Sequence, residues 1–134
     1  MPVHVTGPFD VKVAPQSMPA TAADAGLGRM SLDKQFHGEL EATSVGEMLT
    51  AMSSSVPGSG VYVAVERVTG KLGGRSGSFA LHHTGVMNRG VPQLTIFVVP
   101  DSGTGELSGL SGKLDIRIEP DGKHFYDFEY ELPA

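Results

Sequence analysis

Apolar residues alternate with polar or small residues along much of this 134-residue chain. The alternation is clearest near the start, where the apolar residues fall on odd positions: Val3, Val5, Phe9, Val11 and Val13. A period of two is typical of a strand with one buried face. Comparable β-rich stretches cover 61–72, 75–87, 93–99, 112–118 and 124–132, so the pattern predicts a mostly β protein.

Residues 30–52 contain the one conflict in the pattern. Apolar residues occupy even positions at Met30, Leu32, Phe36 and Leu40, interrupted by Lys34 and Gly38. Further on, helical spacing and a possible capping box appear together at Ser44, Val45, Glu47, Met48, Leu49 and Met52. Gly46 inside this segment and strands on both sides favour a strand over 44–52, with a helix as the alternative.

The connections between these strands support one closed sheet. Residues 14–29 are rich in Ala, Pro and Gly and predict a long loop, either a lid or a simple connection. Glu119–Gly122 and Gly73–Gly74 are hairpin turn signals. About eight sequential strands, each with one apolar face, predict a single antiparallel barrel over residues 1–134, because closure removes the exposed edges.

Composition narrows the range of functions. The chain has no cysteine, which excludes disulfides, thiolate metal sites and cysteine nucleophiles. Its formal charge of -5 and the absence of a Lys/Arg cluster argue against a nucleic-acid partner. The N-terminus lacks the features of a secretory signal, and no apolar run approaches the length of a membrane span. We therefore expect a cytoplasmic protein with no membrane partner and no cofactor.

The hairpin around Gly73–Gly74 suggests a chemical site. A two-residue type I′ turn places Leu72 opposite Arg75, and counting back makes Glu66 and His83 diagonal neighbours on the face that also carries Tyr62. A carboxylate and an imidazole on an apolar face perturb each other's proton affinity, as in a general acid/base pair or a ligand anchor. The structural alternative pairs Glu66 with Arg75 or Arg67 and satisfies His83 with a backbone carbonyl.

Two other motifs have weaker chemical interpretations. Because successive strand residues point to opposite faces, His82 and His83 cannot chelate one ion in a regular strand, and we expect no metal site. The glycine-rich stretch VVPDSGTGELSGLSGKL matches neither a dinucleotide fingerprint nor a P-loop and predicts turns at a barrel rim. Its Ser102 and Thr104 are candidates to contribute hydroxyls to a pocket mouth.

The stretch ERVTGKLGGRSGSFALHHTG, followed by VVPDSGTGELSGLSG and preceded by FHGELEATS, resembles a bacterial family of small proteins classed as a domain of unknown function. The resemblance covers roughly residues 30–118 and implies an allene-oxide-cyclase-like barrel. It supports a strand at 44–52. It implies no activity, because plant allene oxide cyclases share the barrel shape but not these motifs.

Three functions remain open. The first hypothesis is a module that binds a small, partly apolar ligand inside the barrel through the candidate contacts Tyr62, Glu66, Arg75, His83, Ser102 and Thr104. The second is an isomerase, cyclase or hydrolase that uses Glu66 and His83 as acid and base, and the third is a structural or interaction protein.

An assembly is also predicted, because strands 61–65 and 94–99 carry apolar residues on both faces. Something must cover the outer set, which includes Val61, Val63, Val65, Phe97 and Val99. The alternatives are the 14–29 loop within one chain and a symmetric homodimer, which we favour.

Overall fold

The computed structural model describes residues 2–134, and eight strands account for most of them. The strands are β1 (Val3–Pro15), β2 (Leu27–Phe36), β3 (Leu40–Met52), β4 (Gly60–Leu72), β5 (Arg75–Asn88), β6 (Val91–Val98), β7 (Ser111–Ile118) and β8 (His124–Glu131). A five-residue helix, α1 (Ala20–Asp24), and one 3₁₀ turn (Gly105–Leu107) complete the fold. In the described part of the chain no helix is long and apolar enough to cross a membrane.

Each strand pairs antiparallel with the next, and β8 pairs with β1, so the sheet closes into an eight-stranded barrel. This confirms the predicted fold class. The contact between β6 and β7 is the weakest junction, with the single residue pair Phe97 and Lys113 in register. Between these strands, segment 99–110 lies against β5 instead, through hydrogen bonds such as Thr104 N–H to the Ser78 carbonyl at 2.8 Å.

The predicted hairpin register of β4 and β5 is confirmed. Leu72 pairs with Arg75, Glu66 pairs with Leu81, and Ala64 pairs with His83. Gly73 and Gly74 have φ angles of 58° and 81°, the left-handed conformation that a type I′ turn requires at both positions. This two-residue turn, whose twist matches that of the flanking strands, therefore fixes which side chains of the hairpin point into the barrel.

The segment 44–52 is a strand, as favoured. Met48 pairs with Met30 of β2 on one side and with Ala64 of β4 on the other, so the backbone polar groups of this segment are used by two neighbours. The helical spacing of Val45 and Leu49 reflects two exposed positions on the outer face of β3. Tertiary pairing overrides the local capping signal here.

Two boundaries differ from the sequence prediction. The predicted loop 14–29 is shorter, because β1 continues to Pro15 and β2 begins at Leu27, and it contains the unpredicted helix α1. The even-numbered apolar run from Met30 to Leu40 is not one strand but two, separated by a turn at 37–39. The hydroxyl of Tyr126 braces this turn: it donates to the carbonyl of His37 at 2.7 Å and accepts from the amide of Leu40 at 3.1 Å.

The two ends of the barrel differ in how they are filled. We call the end at turns 37–39 and 73–74 the closed end, because large buried side chains fill it: Phe36, Leu40, Leu72, Phe79, Leu107, Leu110, Phe128 and Tyr130. Leu107 and Leu110 belong to segment 99–110, which plugs this end. The opposite end, bounded by loops 16–26, 53–59, 89–90 and 119–123, is called the open end. The core is therefore concentrated in one half of the barrel.

The outer surface carries an apolar patch on β3 and β4, formed by Val45, Leu49, Val63 and Val65. Phe97 of β6 is also exposed, but β5 separates it from this patch. Val63 is 47% exposed and Val65 is 59% exposed, so the loop between β1 and β2 does not cover them. Helix α1 packs instead against β2. The alternative in which the 14–29 loop covers these residues is therefore wrong. The homodimer stays a prediction.

We expect Phe79→Ala to destabilise the protein by about 3–5 kcal/mol, the usual range for truncating a core phenylalanine. Phe79 is buried opposite Val68 and stacks on Phe128 with ring centroids 5.9 Å apart. Urea denaturation measures the effect. Val91→Ala, at a position 68% exposed, is the control and should change the free energy of unfolding by less than about 0.5 kcal/mol. A shift for Phe79→Ala as small as the control's would contradict the assigned core.

If the outer patch joins two copies, sedimentation at micromolar concentration should report roughly twice the chain mass of 14.1 kDa. A carboxylate at the centre of the patch would be desolvated across the two-fold axis, so Val63→Glu should shift the protein to monomer. Val91→Glu, which lies outside the patch, should not. A wild-type protein that remains monomeric at high concentration would refute the homodimer.

Candidate functional site

The open half of the barrel contains a cavity of about 210 Å³. All eight strands contribute to its wall, so it lies on the barrel axis and not in a surface groove. The apolar part of the wall consists of Phe9, Val11, Val13, Leu32, Met48, Leu94, Ile116 and Ile118, and the polar part consists of Lys34, Tyr62, His83 and His124. This composition, mostly apolar with a few convergent polar groups, is typical of small-molecule sites.

At the floor of the cavity a charged cluster is enclosed in the barrel wall. Glu66 accepts a hydrogen bond from Nζ of Lys34 at 2.7 Å and from Oγ of Ser44 at 2.8 Å. Nε2 of His83 lies 2.5 Å from the same carboxylate oxygen that Lys34 contacts. The side chains of Lys34, Glu66 and His83 are 5%, 0% and 3% exposed, respectively. Three ionisable groups on three strands are thus held together with almost no exposure to solvent.

The contact between Glu66 and His83 is short but is not a well-aligned hydrogen bond. Nε2 of His83 is buried without a hydrogen-bond partner, although it is so near the carboxylate, because the N–H direction does not point at the oxygen. Nε2 nevertheless lies close enough to the carboxylate to act on its charge. A buried imidazole nitrogen without a hydrogen-bond partner is uncommon in a finished core.

Local sequence explains why these side chains meet. Gly46 pairs with Glu66 across β3 and β4, and a Cβ on Gly46 would lie 2.6 Å from the Cβ of Glu66. The missing side chain lets Glu66 lean across β3 toward Ser44 and Lys34. The Lys34 ammonium lies 5.4 Å and 5.8 Å from the ring centroids of Phe9 and Phe36, a cation–π arrangement that helps to hold a cation away from water.

The surroundings act strongly on Glu66. Burial alone would raise its pKa, but His83 and Lys34 outweigh burial and lower the pKa from 4.5 to about 2. Tyr62 responds in the opposite direction, because partial burial and the negative charge of Glu66 both raise the pKa of its phenol. Glu66 is thus a fixed negative charge at neutral pH, and Tyr62 stays a neutral hydroxyl that can donate a hydrogen bond.

The members of the cluster have different access to the cavity. Lys34, His83 and Tyr62 line its wall, whereas Glu66 and Ser44 lie behind them and do not. A molecule in the cavity would therefore meet an ammonium, an imidazole and a phenol, but not the carboxylate that holds two of them in place. Glu66 positions its neighbours.

A second apolar cleft of about 230 Å³ adjoins the cavity at the open end. The two spaces share Tyr62 and Leu94 as common wall residues. Gly85 pairs with Tyr62, and a Cβ on Gly85 would overlap the Tyr62 ring, so the glycine makes room for the ring between the two spaces. The two spaces therefore lie next to each other, with Tyr62 and Leu94 in the wall of both.

The structure places the predicted site residues in two groups. Glu66, His83 and Tyr62 lie together in the barrel, and the predicted proximity of Glu66 to His83 is confirmed. The structural alternative for Glu66 is wrong, because its partners are Lys34 and Ser44 and not Arg75 or Arg67, which are exposed.

The remaining candidates lie away from the cavity, contrary to the expected pocket mouth. Arg75 flanks the turn at the closed end. Oγ of Ser102 accepts from the amide of Ala80 at 3.0 Å and donates to the carbonyl of Val99 at 2.7 Å. Oγ1 of Thr104 accepts from the amide of Ser78 at 3.0 Å. These hydroxyls satisfy backbone groups of β5 where β6 no longer pairs with it, so their environment is structural.

Sequence reasoning missed Lys34 and Ser44. Lys34 was an interruption in the even-numbered apolar run of β2, and the parity itself was the signal, because Lys34 shares its face with Leu32 and Phe36. Ser44 is the residue that pairs with Lys34 in β3. Only the pairing of β2 with β3 and of β3 with β4 brings both residues next to Glu66.

The fold and site define a closed antiparallel barrel of eight strands, filled at one end and holding a charged cluster beneath a cavity at the other. The family described as "Protein of unknown function (DUF3224)" matches residues 5–130, and the chain belongs to this family. The resemblance to a bacterial family of unknown function is thereby confirmed.

The chain is similar over its whole length to a solved structure. The crystal structure of a protein with unknown function from the DUF3224 family of Shewanella oneidensis MR-1 has 52% sequence identity, covers 100% of both chains and has a TM-score of 0.90. No curated protein matches the chain in sequence. The likeness to the allene oxide cyclase barrel stays a prediction.

Replacing Glu66 with Gln tests the cluster through pH dependence. Removing one partner of a buried ion pair should destabilise the protein at pH 7 by about 3–5 kcal/mol. The folded-state pKa of about 2 is below the usual 4.5, so the wild-type ion pair stabilises the fold fully above about pH 4.5, and this contribution is lost as the pH falls toward 2. The difference between wild type and variant should therefore narrow between pH 5 and pH 2.5.

Denaturation curves at several pH values measure this difference. Glu41→Gln, on the exposed face of β3, is the matched control and should show no comparable narrowing. A gap between wild type and Glu66→Gln that stays constant with pH would contradict an ionised Glu66 held by cationic partners.

Proposed function

We propose that the protein binds a small, partly apolar molecule in the open half of its barrel, with Lys34, His83 and Tyr62 as polar contacts. The observation that carries the proposal is the unfilled space on the barrel axis directly above a buried charged cluster. In a purely structural protein the strand residues that fill the closed half would be expected to fill this half as well.

The size of the space limits the ligand. At about 210 Å³ the cavity is smaller than pockets for drug-sized ligands, which occupy about 300–1,000 Å³. The adjoining cleft of about 230 Å³ gives an elongated ligand further room. A compact molecule, or a slender one that passes Tyr62, therefore fits the available shape.

Charge placement favours binding over acid/base catalysis by Glu66. A general base works best with a pKa near the working pH, and a pKa of about 2 makes Glu66 a very weak one. Glu66 also lies behind the cavity wall, so a ligand in the cavity would not touch it. An isomerase, cyclase or hydrolase at this site would have to use His83 for proton transfer, with Glu66 as its positioning residue.

The cost of the cluster also supports a function for it. Burying an ammonium, a carboxylate and an imidazole carries a desolvation penalty, and apolar residues of similar volume often stabilise a core as well or better. The fold accepts this penalty at the floor of a cavity, where the charges can face a ligand. The finished core at the closed end contains no such cluster among the described residues.

The cavity is tested with 2-naphthol, a small aromatic molecule with one hydroxyl group. Titration followed by amide NMR shifts should perturb residues of β1, β4 and β5 around Val11, Tyr62 and His83. Val11→Phe places extra ring atoms in the cavity and should weaken binding at least tenfold while circular dichroism shows an intact β fold. Val91→Phe, on the exposed start of β6, is the matched control and should bind like wild type.

Two outcomes would contradict the proposal. One is a set of shifts confined to the outer patch around Val63 and Val65. The other is equal binding by wild type and a folded Val11→Phe variant, because a filled cavity cannot hold the probe.

A further inference from the structure

We infer that the ligand of this cavity is an amphiphile with one carboxylate group and an unbranched apolar chain, with the carboxylate at Lys34 and His83 and the chain directed past Tyr62 to the open end. This inference rests on the proposed function and adds the chemical class of the ligand. It follows from which polar atoms reach the cavity and from the shape of the apolar wall.

Lys34 and Tyr62 present hydrogen-bond donors to the cavity. An ammonium has three N–H groups, and Lys34 gives one of them to Glu66. Nε2 of His83 faces the Glu66 carboxylate, which leaves Nδ1 as the ring nitrogen for a ligand. Tyr62 adds a neutral hydroxyl. A carboxylate presents two acceptor oxygens, enough to accept from Lys34 and His83 at once.

The cavity wall has no carboxylate that could bind a cationic ligand. No aspartate or glutamate lines the cavity along the described chain, since Glu66 stands behind Lys34 and His83. A ligand ammonium would therefore meet Lys34 without a counter-charge. A carboxylate would meet a cation that is already oriented, so little side-chain entropy would be lost on binding.

The fixed positive charge of Lys34 is consistent with an anionic ligand. Glu66 and a bound carboxylate together carry two negative charges, with Lys34 between them as a fixed positive charge. His83 contacts Glu66 through Nε2 and leaves Nδ1 for the ligand.

The wall above the floor selects an apolar chain. Val11, Leu32, Met48 and Ile116 surround the axis of the cavity, and Leu94 continues the apolar surface into the adjoining cleft. The Tyr62 ring occupies the space left by the missing side chain of Gly85, in the wall of both spaces. A passage formed beside one aromatic ring accommodates a slender chain better than a fused ring system.

The charge of the head group is tested with three probes of equal chain length: octanoate, 1-octanol and octylammonium. Isothermal titration at pH 7 should give octanoate binding at least tenfold tighter than 1-octanol, since a hydrogen bond to a charged group contributes about 1.5–3 kcal/mol. Octylammonium should bind more weakly than 1-octanol. Octanoate should also shift the NMR signals of the His83 and Lys34 side chains.

The chain direction is tested with hexanoate, octanoate and decanoate. Each added methylene should strengthen binding about fourfold while it remains in apolar surroundings. Met87→Glu places a carboxylate in the adjoining cleft, so it should reduce the gain from octanoate to decanoate and leave hexanoate unaffected. Val91→Glu, on the same hairpin but outside the cleft, should leave the whole series unchanged.

The outcomes separate this inference from the proposed function. If 1-octanol or octylammonium binds as tightly as octanoate, the carboxylate class is refuted while binding in the cavity stands. If Met87→Glu leaves the chain-length series unchanged, the direction of the chain is refuted. If neither the octyl probes nor 2-naphthol binds, the proposed function fails as well.

Discussion

The carboxylate of Glu66 is the constraint on which the site depends. It is removed from water, so it remains ionised only because Lys34, His83 and Ser44 come within 2.5–2.8 Å of its oxygens from three other strands. A buried charge without these partners would cost several kcal/mol. The register of β2 through β5 is consequently fixed by electrostatics as well as by apolar packing, and Lys34 and His83 have little freedom to turn away from the cavity.

The two halves of the barrel have different roles in holding this buried charge. Aromatic and leucine side chains fill the closed end, with Leu107 and Leu110 added by the segment between β6 and β7. That half supplies hydrophobic stabilisation and a rigid frame. The open half gives up some packing and keeps a space on the axis. The charged cluster lies between the two halves, where the rigid core can support it and the cavity can use it.

Sequence reasoning reached the parts of this arrangement that follow from local rules. Two glycines at 73–74 fix a turn type, the turn fixes a register, and the register places Glu66 near His83. Lys34 and Ser44 depend on pairings between separate hairpins, which alternation along one strand does not specify. Ser102 and Thr104 were misplaced for a related reason: a glycine-rich loop has the same composition at either end of a barrel. Helix α1 has no amphipathic pattern and no buried residue to reveal it.

The most direct measurement of the central claim is the carboxyl ¹³C shift of Glu66 followed by NMR through a pH titration of the folded protein. An ionised carboxylate held by Lys34 and His83 should titrate with a pKa of about 2, so its shift should stay constant from pH 7 down to about pH 3.5. A carboxyl that titrates at or above 4.5 would mean that burial outweighs its partners. The contacts with Lys34 and His83 would then give the ionised carboxylate no net stabilisation, and Glu66 would not be the group that fixes these two side chains toward a ligand.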